Sequence, residues 1–360
     1  MEFLFVYYTH KPGGLCKRLY RLMRALSERG HGVHYLSLDP PPEPLPITFH
    51  QIPFPLRNRA GLLFWATFTV WLPAFVLWKA LCIRPRRLIA FSGYYSFAFF
   101  PARLITRAPI ILFIRSVSFC VNRITQKPRI VLFFADLVDK LGVRSASHVV
   151  CMTEAMKAQL EGFASLTHAK VSILPNDLPD IDRKEVRLRR SGKPLRLISA
   201  GVIDQRKNFR LLIEAVAKVE STLGSGSVSL SIAGNGPMKD SLPANPSVKL
   251  LGWVPDVESF FRKFDLLVHP AFHEGVPNVL MEALAQELPV LASDIPEHRE
   301  VLAFDTLLFS LDSSESLANQ LIEIIQEPEK MSSLQERCRE RAELFRFDWD
   351  EKASQICLSE

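Results

Sequence analysis

The sequence predicts an α/β protein of two domains, each built on a mostly parallel sheet. Three observations carry this. The chain has 360 residues, more than one ordinary core holds. Apolar strands alternate with helical patterns behind Gly-containing turns, and that grammar starts twice. Charge divides along the chain: residues 1–195 hold 28 Lys and Arg against 12 Asp and Glu, a net +16, and the remainder holds 16 against 26, a net −10. The two halves sum to the +6 of the whole chain. They therefore face different partners, the first of them something anionic, whether phospholipid, nucleic acid or a phosphorylated substrate. An apolar content of 48% with a mean hydropathy of +0.10 excludes a disordered chain and leans towards membrane contact.

The first half begins with "MEFLFVYY", acidic at its start and followed by a Gly-rich turn, which reads as a strand and not as a signal peptide. After "THKPGGLCKR", Leu19, Leu22, Met23 and Leu26 recur at helical spacing, so Leu15 to Arg29 is a helix that Gly30 ends. "GVHYLSL" is the next strand, completing a βαβ start. Residues 40–56 are Pro-rich and read as irregular. Leu62 to Ile83 is the most apolar segment, interrupted only by Pro73 and Lys79. It carries Trp65, Trp71 and Trp78, follows Arg57 and Arg59, and precedes Arg84, Arg86 and Arg87. As a helix it could cross a hydrocarbon layer of about 30 Å. Arginines on both flanks give no asymmetry to orient a span, and a span would interrupt the following strands "LIAF" and "PIILFI". A membrane-surface element is the leading reading, beside an ordinary core helix and a true span. The six cysteines are scattered without a CxxC or zinc pattern and read as reduced thiols of a cytosolic chain.

Residues 180–193 are charged, lack an apolar stripe and read as the linker. Then "LRLISAG" is a strand, "VIDQRKN" a turn and Phe209 to Val219 a helix. "VSLSIAG" and "VKLLGWV" are strands, Val257 to Phe264 a short helix, and "DLLVHPA" and "PVLASD" further strands.

The stretch "FHEGVPNVLMEA" follows "DLLVHPA" at a strand's carboxyl end, where α/β sheets bind ligands. Asn278 suits an N-cap for a helix from Val279 to about Gln286. The free N–H groups of that start attract an anion such as a phosphate. Glu282 lies about one turn in, where a carboxylate can accept from a ribose diol, and Glu274 sits on the approach loop. Lys207 occupies another strand-to-helix turn and can neutralise a diphosphate. Gly234 and Gly236 permit close backbone approach, though a tight turn explains them nearly as well, and Gly13 and Gly14 offer backbone N–H groups from the first domain.

These residues resemble a known family. "GVIDQRKNFRLLIEA", "SIAGNGP", "LLGWVPDV" and "HPAFHEGVPNVLMEALAQELPVLASDIPEHREVL" stand in the order found in the retaining glycosyltransferases of family 4, with the E-x7-E pair as the most specific element. "KPGGLCKR", "SILPND" and "FDWDEKA" are similar to the same family. The match is strong over roughly residues 195–301 and weak over 40–170, where acceptors usually bind. The resemblance implies the GT-B fold, two Rossmann-like domains facing a cleft. The N-terminal acceptor-binding domain would occupy residues 1–180, with a last helix at about 345–360 packing back on it. The nucleotide-sugar domain would occupy residues 194–344.

It also implies no required metal and no cofactor besides the nucleotide-sugar substrate. By position Glu274 and Lys207 would be catalytic, Lys207 on the donor diphosphate and Glu274 on sugar hydroxyls. Glu282 would hold the ribose, the amides around Val276, Pro277, Asn278 and Val279 the sugar and phosphate, and Gly14 and Gly234 would approach the donor. Val202 stands where the family commonly has an arginine, with Arg206 as the nearby substitute. Pro296-Glu297 replaces a common Gly-Gly, and Arg115 is the candidate acceptor-side group.

The expected activity is transfer of a hexose or N-acetylhexosamine from a UDP-sugar, with retention, to a lipid-linked glycan on the anionic inner face of the membrane. Alternatives are a catalytically silent scaffold and a soluble transferase with a small acceptor. Nucleic acid is excluded as a partner, because the aromatics sit in apolar runs and are not interleaved with Lys and Arg.

Overall fold

The first sheet grows mostly from short apolar stretches of the first half. The computed structural model describes residues 1–11, 13–56, 58–59, 61–116, 128–180, 194–254 and 260–359. It divides into two units, Met1–Leu174 with Asp348–Glu360, and Pro175–Phe347. Arg57, the proposed linker beyond residue 180 and the start of the short helix at Val257 lie outside the described residues.

In the first unit the strands are β1 (Glu2–Val6), β2 (Gly32–Ser37), β3 (Thr48–Gln51), β4 (Arg87–Ala90), β5 (Ile110–Phe113), β6 (His148–Cys151) and β7 (Lys170–Ile173). They pair in parallel in the order β3-β2-β1-β4-β5-β6-β7. Phe3 to Val6 are wholly buried, as strands covered on both faces require. The helices are α1 (Gly14–Glu28), α2 (Leu62–Ile83), α3 (Gly93–Thr106), α4 (Arg129–Ser145) and α5 (Glu154–Phe163). Strand β3 corrects the expectation of an irregular 40–56. "TFHQ" is too short and polar to announce itself, but the open edge of β2 pairs with it from His34↔Thr48 to Ser37↔Gln51.

Helix α2 carries two apolar faces. Phe64, Phe68, Leu72, Phe75, Val76 and Ala80 follow helical spacing into the core. Leu62, Leu63, Val70, Trp71, Trp78 and Leu81 are exposed on the other side. Among the described residues it is the one helix long and apolar enough to cross a membrane. It lies against α3, which in turn lies against α4. Gly93 and Gly142 let α3 and α4 meet backbone to backbone, since a Cβ on Gly142 would lie 1.8 Å from the Gly93 carbonyl oxygen.

The second unit holds β8 (Leu195–Ala200), β9 (Val228–Ala233), β10 (Val248–Gly252), β11 (Leu266–His269), β12 (Val290–Ser293) and β13 (Leu308–Phe309), in the parallel order β10-β9-β8-β11-β12-β13. Its helices are α6 (Phe209–Leu223), α7 (Asn278–Ala285), α8 (Pro296–Leu302), α9 (Ser314–Gln326) and α10 (Pro328–Glu343). The chain ends in α11 (Trp349–Leu358), which belongs to the first unit. There the buried ring of Trp349 lies 6.2 Å from that of Phe113 and under the guanidinium of Arg18 at 5.0 Å.

Strand order reverses between β8 and β11, so the loops leaving these two strands border the topological switch point where doubly wound sheets take their ligands.

Candidate functional site at the carboxyl edge of the second sheet

The loop after β8 starts at Gly201, whose φ of 150° suits glycine. A Cβ there would stand 3.0 Å from Lys207 Cε, so the missing side chain makes room for the lysine stem. A single 3-10 turn, Gln205–Lys207, follows, capped by the Asp204 carboxylate, which accepts from the Arg206 N–H at 3.0 Å. The Arg206 guanidinium donates to the same carboxylate from Nε at 3.0 Å and Nη2 at 2.7 Å. Arg206 thus braces its own turn, beside an exposed Val202.

The loop after β9 packs directly onto this one. Gly234, with φ 138°, approaches so closely that a Cβ would lie 1.9 Å from the Gly201 carbonyl oxygen. The Ile203 N–H donates to the Asn235 carbonyl at 3.0 Å, and the Met238 N–H to the Ile203 carbonyl at 3.0 Å. The glycines of "AGNGP" therefore serve loop-to-loop contact, and any side chain at Gly234 would separate the two loops.

The loop after β11 closes the arrangement. The Phe272 N–H donates to the Arg206 carbonyl at 2.8 Å. Two residues on, Glu274 forms an ion pair with Lys207, both side chains nearly buried at 13% and 12% exposure. Residues 67 positions apart in sequence are thus joined across β8 and β11.

Helix α7 begins at Asn278, one residue earlier than the sequence suggested. Pro277 stands at the N-cap position, and no side chain caps the helix. This corrects the expected Asn278 cap: the extended backbone of Pro277 (φ −64°, ψ 125°) already supplies the cap geometry, so Asn278 is the first helical residue. Its Oδ1 accepts instead from Asn176 Nδ2 at 2.9 Å, and the same amide donates to the Val276 carbonyl at 3.1 Å. Without a side-chain cap, the first-turn N–H groups and the helix dipole favour an anion. Glu282 is half-buried on the second turn.

Two histidines behind the ion pair escaped the sequence reading. His269 ends β11 with no exposed surface, its Nε2 3.9 Å from Glu274 Oε1. His298, from α8, lies with its ring 5.3 Å from that of His269. The His298 Nδ1 faces the Ser293 carbonyl at 2.9 Å, so that nitrogen carries the proton and donates. Burial pushes the His298 imidazole down to about 4. It pushes His269 well below the ordinary histidine range, helped by the nearby Lys207 charge. Both rings are neutral at pH 7. The signal for His269 was a lone titratable residue closing an otherwise apolar strand; Asn176 lay in "SILPND", a motif given no role.

The second unit therefore gathers Glu274, Lys207, Arg206, Gly234, Val276, Pro277, Asn278, Val279 and Glu282 on one sheet edge. Gly14, which opens α1, and Arg115, which follows β5, belong to the first unit. The Arg115 guanidinium lies 6.0 Å from the Trp349 ring.

Two family models match. "Glycosyl transferases group 1" covers residues 194–327, and "Glycosyl transferase 4-like domain" covers residues 13–177. The N-acetylgalactosamine-N,N'-diacetylbacillosaminyl-diphospho-undecaprenol 4-alpha-N-acetylgalactosaminyltransferase of Campylobacter jejuni is 29% identical over 196 residues, 50% of this chain and 51% of that protein. The chain spans about half the length of the curated relatives it matches. Among solved structures, WaaG, a glycosyltransferase of lipopolysaccharide biosynthesis, superposes with a TM-score of 0.77 at 19% identity, covering 99% of this chain and all of that one. Anabaena HepE in complex with UDP and glucose superposes at 0.73 and 17%, with both chains fully covered. At such identities these two carry the fold alone.

Proposed function

That this chain belongs to the group 1 glycosyltransferases, with a glycosyltransferase 4-like first domain, is the premise from which we propose its reaction. It transfers a hexose or N-acetylhexosamine from a UDP-sugar to a lipid-linked glycan, with retention and without a metal in the chemical step. The observation that carries this reading is the Lys207–Glu274 pair at the switch point, beside a helix start without a side-chain cap.

The barrier is departure of the leaving group. As the bond from the anomeric carbon to the phosphate oxygen breaks, its electron pair passes to the diphosphate. The Lys207 ammonium and the first-turn amides of α7 stabilise that growing charge, as an oxyanion hole does. The acceptor hydroxyl attacks on the same face, and its proton passes to the leaving phosphate oxygen. Glu274 orients sugar hydroxyls and stabilises positive character at the ring; Glu282 accepts from the ribose. The carboxylates act as two grips on one donor, unlike the acid and nucleophile of a hydrolase. The undecaprenol-linked acceptor named for the Campylobacter relative supports the choice of acceptor class.

The location rests on the first unit. Phe100, Leu104 and Ile105 of α3 and Phe133, Phe134 and Leu137 of α4 are exposed as well, on helices that adjoin α2 in series. Arg84, Arg86, Arg107, Arg129 and Arg144, all exposed, end or adjoin these helices. Apolar area with basic residues beside it suits an anionic leaflet and supports a reading of peripheral binding at the inner face of the membrane.

One observation favours a second reading, a catalytically silent scaffold: Arg206 is held by Asp204, and Val202 supplies no charge. Hydrolysis of a panel of UDP- and GDP-sugars separates the two. Turnover of one donor that Glu274→Ala abolishes supports the transferase; no turnover of any donor, with nucleotide still bound, supports the scaffold.

A further inference from the structure

His269 is a polar side chain buried where an aliphatic one would pack. Neither ring nitrogen has a hydrogen-bond partner among the described residues, and no part of the residue is exposed. Buried orphan nitrogens cost stability, and an apolar residue of similar shape would remove that cost. What surrounds the ring is specific. Across the sheet it pairs with Ala292 of β12. Beside it stands His298, whose Nδ1 is committed to the Ser293 carbonyl. Glu274 Oε1 stands 3.9 Å from Nε2, roughly 0.7 Å beyond the upper end of ordinary N–H···O lengths. His273 and Glu297 pair with each other at 3.6 Å on the same loop and helix.

Lys207 is given two tasks by the proposed reaction: it pairs with Glu274 and must neutralise the donor diphosphate. One ammonium has one charge to share. We infer that His269 is a positioning residue that takes over Glu274 when Lys207 turns to the diphosphate, its Nε2–H donating to Oε1 after a small rotation of the carboxylate. The inference rests on the donor-binding reading above and adds a residue to it. It explains why the site keeps an imidazole whose nitrogens have no hydrogen-bond partner among the described residues: Glu274 becomes available to it when Lys207 engages the donor. The neutrality forced on both histidines by burial keeps a second cation from competing with Lys207 for the carboxylate.

The test compares wild type, His269→Leu, His269→Gln and His269→Asn. The amide nitrogen of Gln stands near the position of imidazole Nε2, that of Asn near Nδ1. Melting of the ligand-free proteins is measured beside kcat and KM for donor hydrolysis. His269→Leu is expected to melt at or above wild type while kcat falls about tenfold or more and KM stays within about threefold. Gln recovers part of the loss, and Asn recovers less. A purely structural role would lower the melting temperature together with activity, and that result overturns the inference. So does a Leu variant with the wild-type rate, or better recovery by Asn than by Gln. A wild type that turns over no nucleotide-sugar overturns the donor reading and this inference with it; an active wild type matched by its Leu variant overturns only the inference.

Discussion

Removing Lys207 tests two roles of one side chain, and a second substitution separates them. In Lys207→Met the stem still lies over Gly201, but Glu274 loses its cation while 13% exposed and next to a neutral imidazole. Breaking one partner out of a nearly buried pair costs about 3–5 kcal/mol. For a unit of this size that is a drop of about 6–20 °C in melting temperature. Adding Glu274→Gln removes the uncompensated charge, so Lys207→Met/Glu274→Gln should recover most of the lost stability. Turnover should not recover. The diphosphate still lacks its cation, a loss of about 10²–10³ in kcat, and the sugar now lacks its carboxylate. The assay is calorimetric melting of the four proteins of the cycle beside donor hydrolysis. If single and double variants melt together, the pair contributes no structure and the burial argument is wrong. If the double variant regains turnover, the pair is not the reacting centre.

Three further outcomes follow from other parts of the molecule. Asn176→Ala frees the Val276 carbonyl and the Asn278 amide, and should cost about 1–3 kcal/mol in melting while raising the donor KM more than it lowers kcat. His298 is pushed down to about 4, so the unfolded chain binds its proton first as pH falls from about 6.5; this histidine contributes stability that is complete above pH 6.5, with about 3 kcal/mol lost by pH 4, and urea titrations at stepped pH should show a flatter acid limb in His298→Asn. Phe133→Asp/Phe134→Asp changes two exposed side chains, so melting should hold while flotation with anionic liposomes at low salt falls at least about tenfold; unchanged flotation would remove α4 from the proposed membrane surface.

The legible parts were those whose signal is local. Helix α2 was bounded correctly because a long apolar run, interrupted only by Pro73 and Lys79, is bracketed by Gly61 and by Arg84, which takes the left-handed C-cap conformation at φ 55°. Much of the two sheets was legible because β1, β2, β4, β5 and β8 to β12 are short apolar runs beside turns, whereas β6, β7 and β13 went unread. The loop and helix of "FHEGVPNVLMEA" were legible for the same reason. What failed depends on partners far away in the chain. Strand β3 exists because β2 offers it an edge. Asn278 reads as a cap by propensity, yet its side chain is taken by Asn176, 102 residues earlier. No local rule sees either pairing.

The same distinction explains how Lys207 and Glu274 come to face each other. The reversal of strand order between β8 and β11 brings the loop of Lys207 to the loop of Glu274, whatever the rest of the sheet does. The order of the strands is a non-local fact, but the alternation of strands and helices constrains it to few choices. A lysine and a glutamate that each close a strand-to-helix turn therefore become neighbours with no sequence signal joining them. His269 became visible only afterwards. Its place in an apolar strand looks like a core position, and only the carboxylate that the topology sets 3.9 Å away gives its nitrogens something to do.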